Sequence, residues 1–170
     1  MAIIKILSIS VVSPTRDHTT QVELLGQLCE ISRKGTNADL KKAIQMYKDL
    51  DGKVDAFGVG GSEFYLQVAE KKYYFRDITQ IRKAIKISKV GDGNSIKGIL
   101  AERALIALEE HLNKEGKTLK GLKGLKTNAV DRYQMAEAMV NAGIDTTFGD
   151  FYFALGIPVK VKSLAAVRVL

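Results

Sequence analysis

The spacing of apolar and polar positions changes period several times along the chain, and each change marks an element. Residues 3–12, "IIKILSISVV", are mainly apolar and β-branched, as a buried strand requires. The loop "SPTRDHT" ends that strand. In "TQVELLGQLCEISRKG" the alternation predicts two strands turning about Gly26, with Cys29, Ile31 and Arg33 on one face of the second. Cys29 then reads as a core residue and not as an activated thiol. The period lengthens to that of a helix in "TNADLKKAIQMYKDLDG". Thr36 and Asp39 form a capping box there, Leu40, Ile44, Tyr47 and Leu50 form the apolar stripe, and Gly52 closes the end. "VDAFGVGG" returns to a strand. A helix joining two strands is the crossover of a parallel sheet, so the pattern points to an α/β layer fold.

After the glycines, "SEFYLQVAEKKYYF" predicts a hairpin about the charged "AEKK". Asp77 caps a helix with Ile78, Ile81, Ala84 and Ile85 inward. Past the loop "KVGDGN", Ser95 opens a longer helix with Ile96, Leu100, Ala104, Leu108 and Leu112 inward. His111, late in that helix, reads as a surface residue near a helix C-terminus. The last third repeats the rhythm. "LKTNAV" is a strand, "DRYQMAEAMVNAG" a helix with Met135, Met139 and Val140 inward, and "IDTTFGDF" a strand. "KSLAAVRVL" begins an amphipathic helix without a polar terminator, which is expected where a longer protein continues.

Composition narrows the class. With 170 residues, 46% hydrophobic and 26% charged, the expectation is a single α/β domain spanning residues 1–170, soluble and cytoplasmic. No apolar run approaches the roughly 18 to 20 residues of a membrane helix. One cysteine and two histidines argue against a disulfide and a metal cluster, so no metal is expected. The net charge of +7 favours a small anionic partner. Much of it comes from Lys114, Lys117, Lys120, Lys123 and Lys126. No aromatic interleaves those lysines, so they read as a solvated loop leading into a strand, and nucleic acid is disfavoured.

The chemistry lies where strands end. "GVGG" places Gly58 and Gly60 on the first two positions of the dinucleotide pattern Gly-x-Gly-x-x-Gly, but Glu63 occupies the third and a hairpin follows. These glycines read as a tight exit from the sheet beside a site. In open α/β sheets, ligands bind outside the carboxyl ends of the strands. If all the strands are parallel in one sheet, four segments meet there: Arg16, Asp17 and His18; Gly58, Gly60 and Gly61; Thr127, Asn128, Asp131 and Arg132; and Gly149 with Asp150. His18, with Asp17 beside it, is the acid–base candidate near neutral pH. Arg16 and Arg132 are placed to clamp an anion, the Gly58 to Gly61 amides to approach a ligand, and Asp131 and Asp150 to bind it. Several also have plain structural readings: Asp131 as a helix N-cap, Arg132 as a surface residue and Asp17 as a turn former.

The segments "TRDHTTQVELLG", "GTNADLKKAI", "DGKVDAFGVGGSEFYL", "AVDRYQMAEAMVNAG" and "FGDFYFALGIP" together resemble the amino-terminal half of bacterial quinate 5-dehydrogenase-like (quinate/shikimate dehydrogenase-like) proteins. The resemblance implies that the chain is the amino-terminal part of a longer protein. It also implies NAD- or NADP-linked hydride transfer on quinate, shikimate or a similar hydroxy acid. It brings no catalytic residue with it, because the Asn-Val-Thr-x-Pro-x-Lys type motif of shikimate dehydrogenases is not found. The expectation is therefore an α/β, Rossmann-like layered fold with a mixed, mostly parallel sheet flanked by helices. It serves an NAD(P)-dependent dehydrogenase or, alternatively, a non-catalytic module that binds a small anionic ligand or supports assembly as a homo-oligomer.

Overall fold

A computed structural model describes residues 2–168 of the chain. The fold is mixed α/β, and the chain divides into two compact units. Residues 1–65 and 74–94 form the first, and residues 66–73 and 95–170 the second.

The first unit is built on a five-stranded sheet. Strand β1 (Ile4–Ser10) leads through a single 3-10 turn (Pro14–Arg16) into β2 (His18–Leu24), which turns about Leu25 and Gly26 into β3 (Gln27–Gly35). Both turn residues have positive φ, 52° and 74°, the twist that a two-residue hairpin loop needs. Helix α1 (Leu40–Leu50) then crosses to β4 (Ala56–Gly60). A hairpin follows, β5 (Tyr65–Val68) and β6 (Lys71–Tyr74), and then α2 (Arg76–Ala84) and β7 (Lys89–Gly91). The sheet order is β2-β3-β1-β4-β7. Strands β3, β1, β4 and β7 run parallel, and β2 is antiparallel to β3, so the sheet is mixed.

Registers explain the core. Leu7 pairs with Phe57 and Ile9 with Val59, so all four face one side. Tyr47 from α1, Ile81 from α2 and Ile85 just after it pack there, with Leu40, Ile44, Leu50, Ile78 and Ala84 around them. Both apolar helix stripes fall as the spacing predicts. Cys29 is buried on the opposite side of the sheet from Glu30, as alternation requires. One detail differs: the N-cap of α1 is Asp39, whose carboxylate accepts from the Lys42 amide at 2.9 Å. Thr36 instead donates its hydroxyl to the Ser10 carbonyl at 3.3 Å, so there is no capping box. The predicted loop "KVGDGN" contains β7, whose three residues are too short to show a period.

The second unit holds α3 (Ile96–Lys114), β8 (Lys123–Lys126), α4 (Tyr133–Asn141), β9 (Asp145–Phe148), α5 (Asp150–Leu155) and α6 (Leu164–Val167), together with the tip of the β5–β6 hairpin. Strands β8 and β9 are parallel and pair with each other in a separate sheet. Helix α4 lies close on that sheet: a Cβ on Gly124 would fall 2.7 Å from Ile144 Cγ2 and 2.9 Å from Met139 Cε. The core gathers Val68, Ala129, Tyr133, Ala136, Phe148, Val161 and Val167.

The predicted inward stripe of α3 is not observed. Ile96, Leu100 and Leu108 are exposed, and Ala101 is buried. A four-residue step overshoots one turn by about 40°, so five such positions fan across the helix surface instead of lining one side. In α4 the buried residues are Tyr133, Ala136 and Ala138, while Val140 is exposed. Strand β9 stops at Phe148 because Asp150 begins a helix that sequence patterning reads as strand.

Candidate functional site at the carboxyl edge of the first sheet

The chain leaves β1 for β3 on one side and, after α1, reaches β4 on the other. The carboxyl ends of β1 and β4 stay paired through Ser10 and Gly60, and the starts of α1 and α2 stand over that edge. A crevice of about 560 Å³ opens there, with Val11, Val12, Ala38, Leu40, Phe75 and Ile78 supplying apolar surface. Ser62, Arg76 and Asp77 supply its polar groups.

Its walls are held by backbone bonds between segments distant in sequence. Val11 donates to the Gly60 carbonyl at 3.1 Å, and Thr36, Asn37 and Ala38 donate to Ser10, Val12 and Val11 at 2.8, 3.1 and 2.6 Å. Asn37 and Ala38 are both left-handed, with φ of 55° and 64°. Such backbone costs roughly 1 to 2 kcal/mol per residue in a non-glycine. Those two amide bonds keep the segment folded back against the exit of β1.

The glycines do what a tight exit requires. A Cβ on Gly60 would sit 2.8 Å from Ser10 Cβ, and Gly61 has a φ of 70°. The Gly58 carbonyl accepts from the Tyr47 hydroxyl at 3.1 Å, so this stretch is tied to the helix layer. Close approach to Ser10 and a left-handed turn account for Gly60 and Gly61 without a phosphate.

The Arg16–His18 segment also lies in the first unit, but none of its three residues lines the crevice. Asp17 works as a clasp. Its Oδ1 accepts from Arg33 Nη1 and from the Gly35 amide, both at 2.7 Å, while Arg33 Nη2 donates to the Ser13 carbonyl at 3.1 Å. A Cβ on Gly35 would come within 2.6 Å of Pro14, so the 3-10 turn rests directly on β3. His18 is exposed at the start of β2, with Nδ1 3.0 Å from the Arg16 carbonyl. Arg16 is exposed.

The other predicted site residues lie in the second unit. Since β8 and β9 do not pair with the five-stranded sheet, the expected convergence of four segments at the end of one sheet does not form. The Asp150 carboxylate is buried and accepts from the Ala129 and Val130 amides, each at 2.9 Å, which folds the loop after β8 onto α5. Asp131 lies 3.5 Å from Arg132, and Arg132, not Asp131, is the N-cap position of α4. Among the described residues, no group of three or more His, Cys, Asp or Glu side chains is placed to hold a metal ion. No helix among them is long and apolar enough to cross a membrane.

Sequence reasoning misses Val11, Val12, Ala38, Phe75 and Arg76. They belong to no chemical motif, and only the glycine-marked exit of β4 points toward them.

Residues 5–92 match the model of a domain of unknown function, DUF8753, over more than half of the chain. The chain belongs to the DUF8753 family. Residues 95–170 match a second domain of unknown function, DUF8754. Nothing among the curated proteins or the solved structures matches the chain. Every residue lining the crevice falls in the DUF8753 segment, as do Arg16, Asp17, His18 and the glycines of β4, whereas Asp131, Arg132 and Asp150 fall in DUF8754.

Proposed function

We propose that the DUF8753 part of the chain is a Rossmann-like ligand-binding module that takes a small hydroxy acid at the carboxyl edge of its sheet. One observation carries this reading: the crevice lies where the strand order reverses about β1, the place at which open α/β sheets bind ligands. Its groups suit the ligand class. The Arg76 guanidinium can pair with a carboxylate, Ser62 and Asp77 can bond hydroxyls, and Val11, Leu40, Phe75 and Ile78 can cover a carbocyclic body.

A second reading adds NAD(P)-dependent oxidation of that hydroxy acid, quinate or shikimate being the type. The parallel order β3-β1-β4-β7 favours it. The helix N-termini at the crevice oppose it, because Asp39 caps α1 and Asp77 stands in the first turn of α2, where a pyrophosphate would meet negative charge.

Thermal unfolding of the full chain with quinate or shikimate, each alone and with NAD or NADP, separates the readings. A ligand at about 100 times its dissociation constant adds roughly 2.7 kcal/mol, or about 5 to 10 °C at this size. Shifts from the acids that vanish in Arg76→Gln support the module. Added shifts from a cofactor, with hydride transfer, support the dehydrogenase. No shift from either acid, or a shift unchanged in Arg76→Gln, overturns the proposal.

A further inference from the structure

The second unit carries its own concentration of positive charge. Lys97 in the first turn of α3, Lys126 at the end of β8 and Arg132 at the start of α4 line one crevice of about 500 Å³. Gln134 adds an amide, and Leu100, Ala104 and Met135 make an apolar floor. No carboxylate lines it.

Three separate elements bring these cations together. Lys126 is half-buried, and its ammonium donates to the Asn128 carbonyl at 2.6 Å, which holds the side chain over the loop after β8. Arg132 reaches Asp131 at 3.5 Å and stays about half exposed, so its guanidinium keeps donors for another partner. Lys97 lines the crevice from α3, with its ammonium nitrogen covered. The acidic groups acting on Lys126 are Asp150, already engaged by two amides, and Asp131. Helix α4 starts without a side-chain cap, which leaves its first-turn amides as additional positive potential.

We infer that this crevice binds a small organic anion, an oxyanion group held by Lys126 and Arg132 with a compact apolar body resting on Leu100, Ala104 and Met135. Burial lowers the Lys126 pKa below the ordinary lysine range, with Asp150 and Asp131 opposing and Arg132 reinforcing that shift. A bound anion adds to the negative charge that Asp150 and Asp131 already present to the half-buried ammonium. The floor selects against a fully hydrated inorganic ion, because covering it requires apolar atoms on the ligand. The inference does not depend on the crevice of the first unit.

The test is a titration of the full chain followed by amide chemical shifts, with phenyl phosphate, benzoate, inorganic phosphate and the neutral benzyl alcohol as probes. Phenyl phosphate and benzoate are expected to perturb the amides of Gly98, Gln134 and Met135. Inorganic phosphate should bind more weakly than phenyl phosphate, and benzyl alcohol should not bind. Lys126→Gln and Arg132→Gln should each weaken phenyl phosphate binding by about tenfold or more, whereas Lys117→Gln, at an exposed residue outside the crevice, should not. Circular dichroism checks that each variant is folded, and the wild-type titration stands even if one is not. Absence of perturbation at those amides overturns the inference, as does equal binding of benzyl alcohol or unchanged affinity in folded variants. A perturbation shared by phosphate and phenyl phosphate with equal strength would reduce the site to adventitious ion pairing and also overturn it.

Discussion

The Tyr47 hydroxyl donates to the Ile9 carbonyl at 3.0 Å, with the Gly58 carbonyl 3.1 Å away, so one buried phenol ties α1 to β1 near its end and to the middle of β4. Burial pushes that phenol above the ordinary tyrosine range, and its ring meets Phe57 edge-on at 5.1 Å. Tyr47→Phe should keep the packing and lose the bond, at a cost of about 1 to 2 kcal/mol. Tyr47→Ala should cost about 3 to 5 kcal/mol. Denaturant unfolding of both variants measures the difference.

Asp17 holds the 3-10 turn to β3 through Arg33 and the Gly35 amide. Both partners of its pair with Arg33 are mostly covered, with side-chain exposures of 23% and 16%. Asp17→Ala leaves the guanidinium and the Gly35 amide without their acceptor and should cost about 1 to 3 kcal/mol. In a double-mutant cycle with Arg33→Met the two losses should be strongly non-additive. Additive losses would show that the clasp contributes nothing as a pair.

Gly60 can be tested through its neighbour. Gly60→Ala should destabilise by about 1 to 3 kcal/mol, because the new methyl meets Ser10 Cβ at 2.8 Å. Adding Ser10→Gly should recover part of the loss, but not all, since Ser10 Cα still stands 3.1 Å away. Full recovery, or none, would mean that contact with Ser10 is not what keeps position 60 a glycine.

Asp51 sets an acid dependence. Its carboxylate accepts from the amides of Ser88 at 2.8 Å, Lys86 at 2.6 Å and Ile87 at 3.0 Å, and these bonds, that to Ser88 first, hold its pKa below the ordinary carboxylate value. A depressed folded-state pKa gives stability that is present above the unfolded value of about 3.9 and lost as pH falls through the folded one. Asp51→Asn should therefore flatten the dependence of the unfolding midpoint on pH in the acid range. A profile parallel to the wild type would contradict this.

Leu25 is a repairable position. It is fully exposed, yet its φ is 52°, in a turn whose residues should both tolerate left-handed backbone. Leu25→Asn should raise stability by about 0.5 to 1 kcal/mol, read from the thermal midpoint.

How much the sequence shows depends on the range of the interaction. The β2–β3 hairpin, the stripes of α1 and α2 and the hairpin after Gly61 rest on neighbours a few residues apart, and each is legible. The separate pairing of β8 with β9 is not, because period-two patterning identifies strands without naming their partners. The same limit applies to the site. Gly60 and Gly61 mark the edge of the crevice in the sequence, but Val11, Phe75 and Arg76 reach it only through the sheet order. Asp17 and Asp150 look chemically available in the sequence because the amides that occupy them lie 18 to 21 positions away.

The β5–β6 hairpin has a consequence for how the two families can part. Its tip, residues 66–73, belongs to the second unit, where Val68 sits among the buried core residues, yet it is encoded within the DUF8753 segment. The polypeptide thus passes from one unit to the other three times, at 65–66, 73–74 and 94–95. A DUF8754 segment severed at its own boundary would leave behind a piece of its interior.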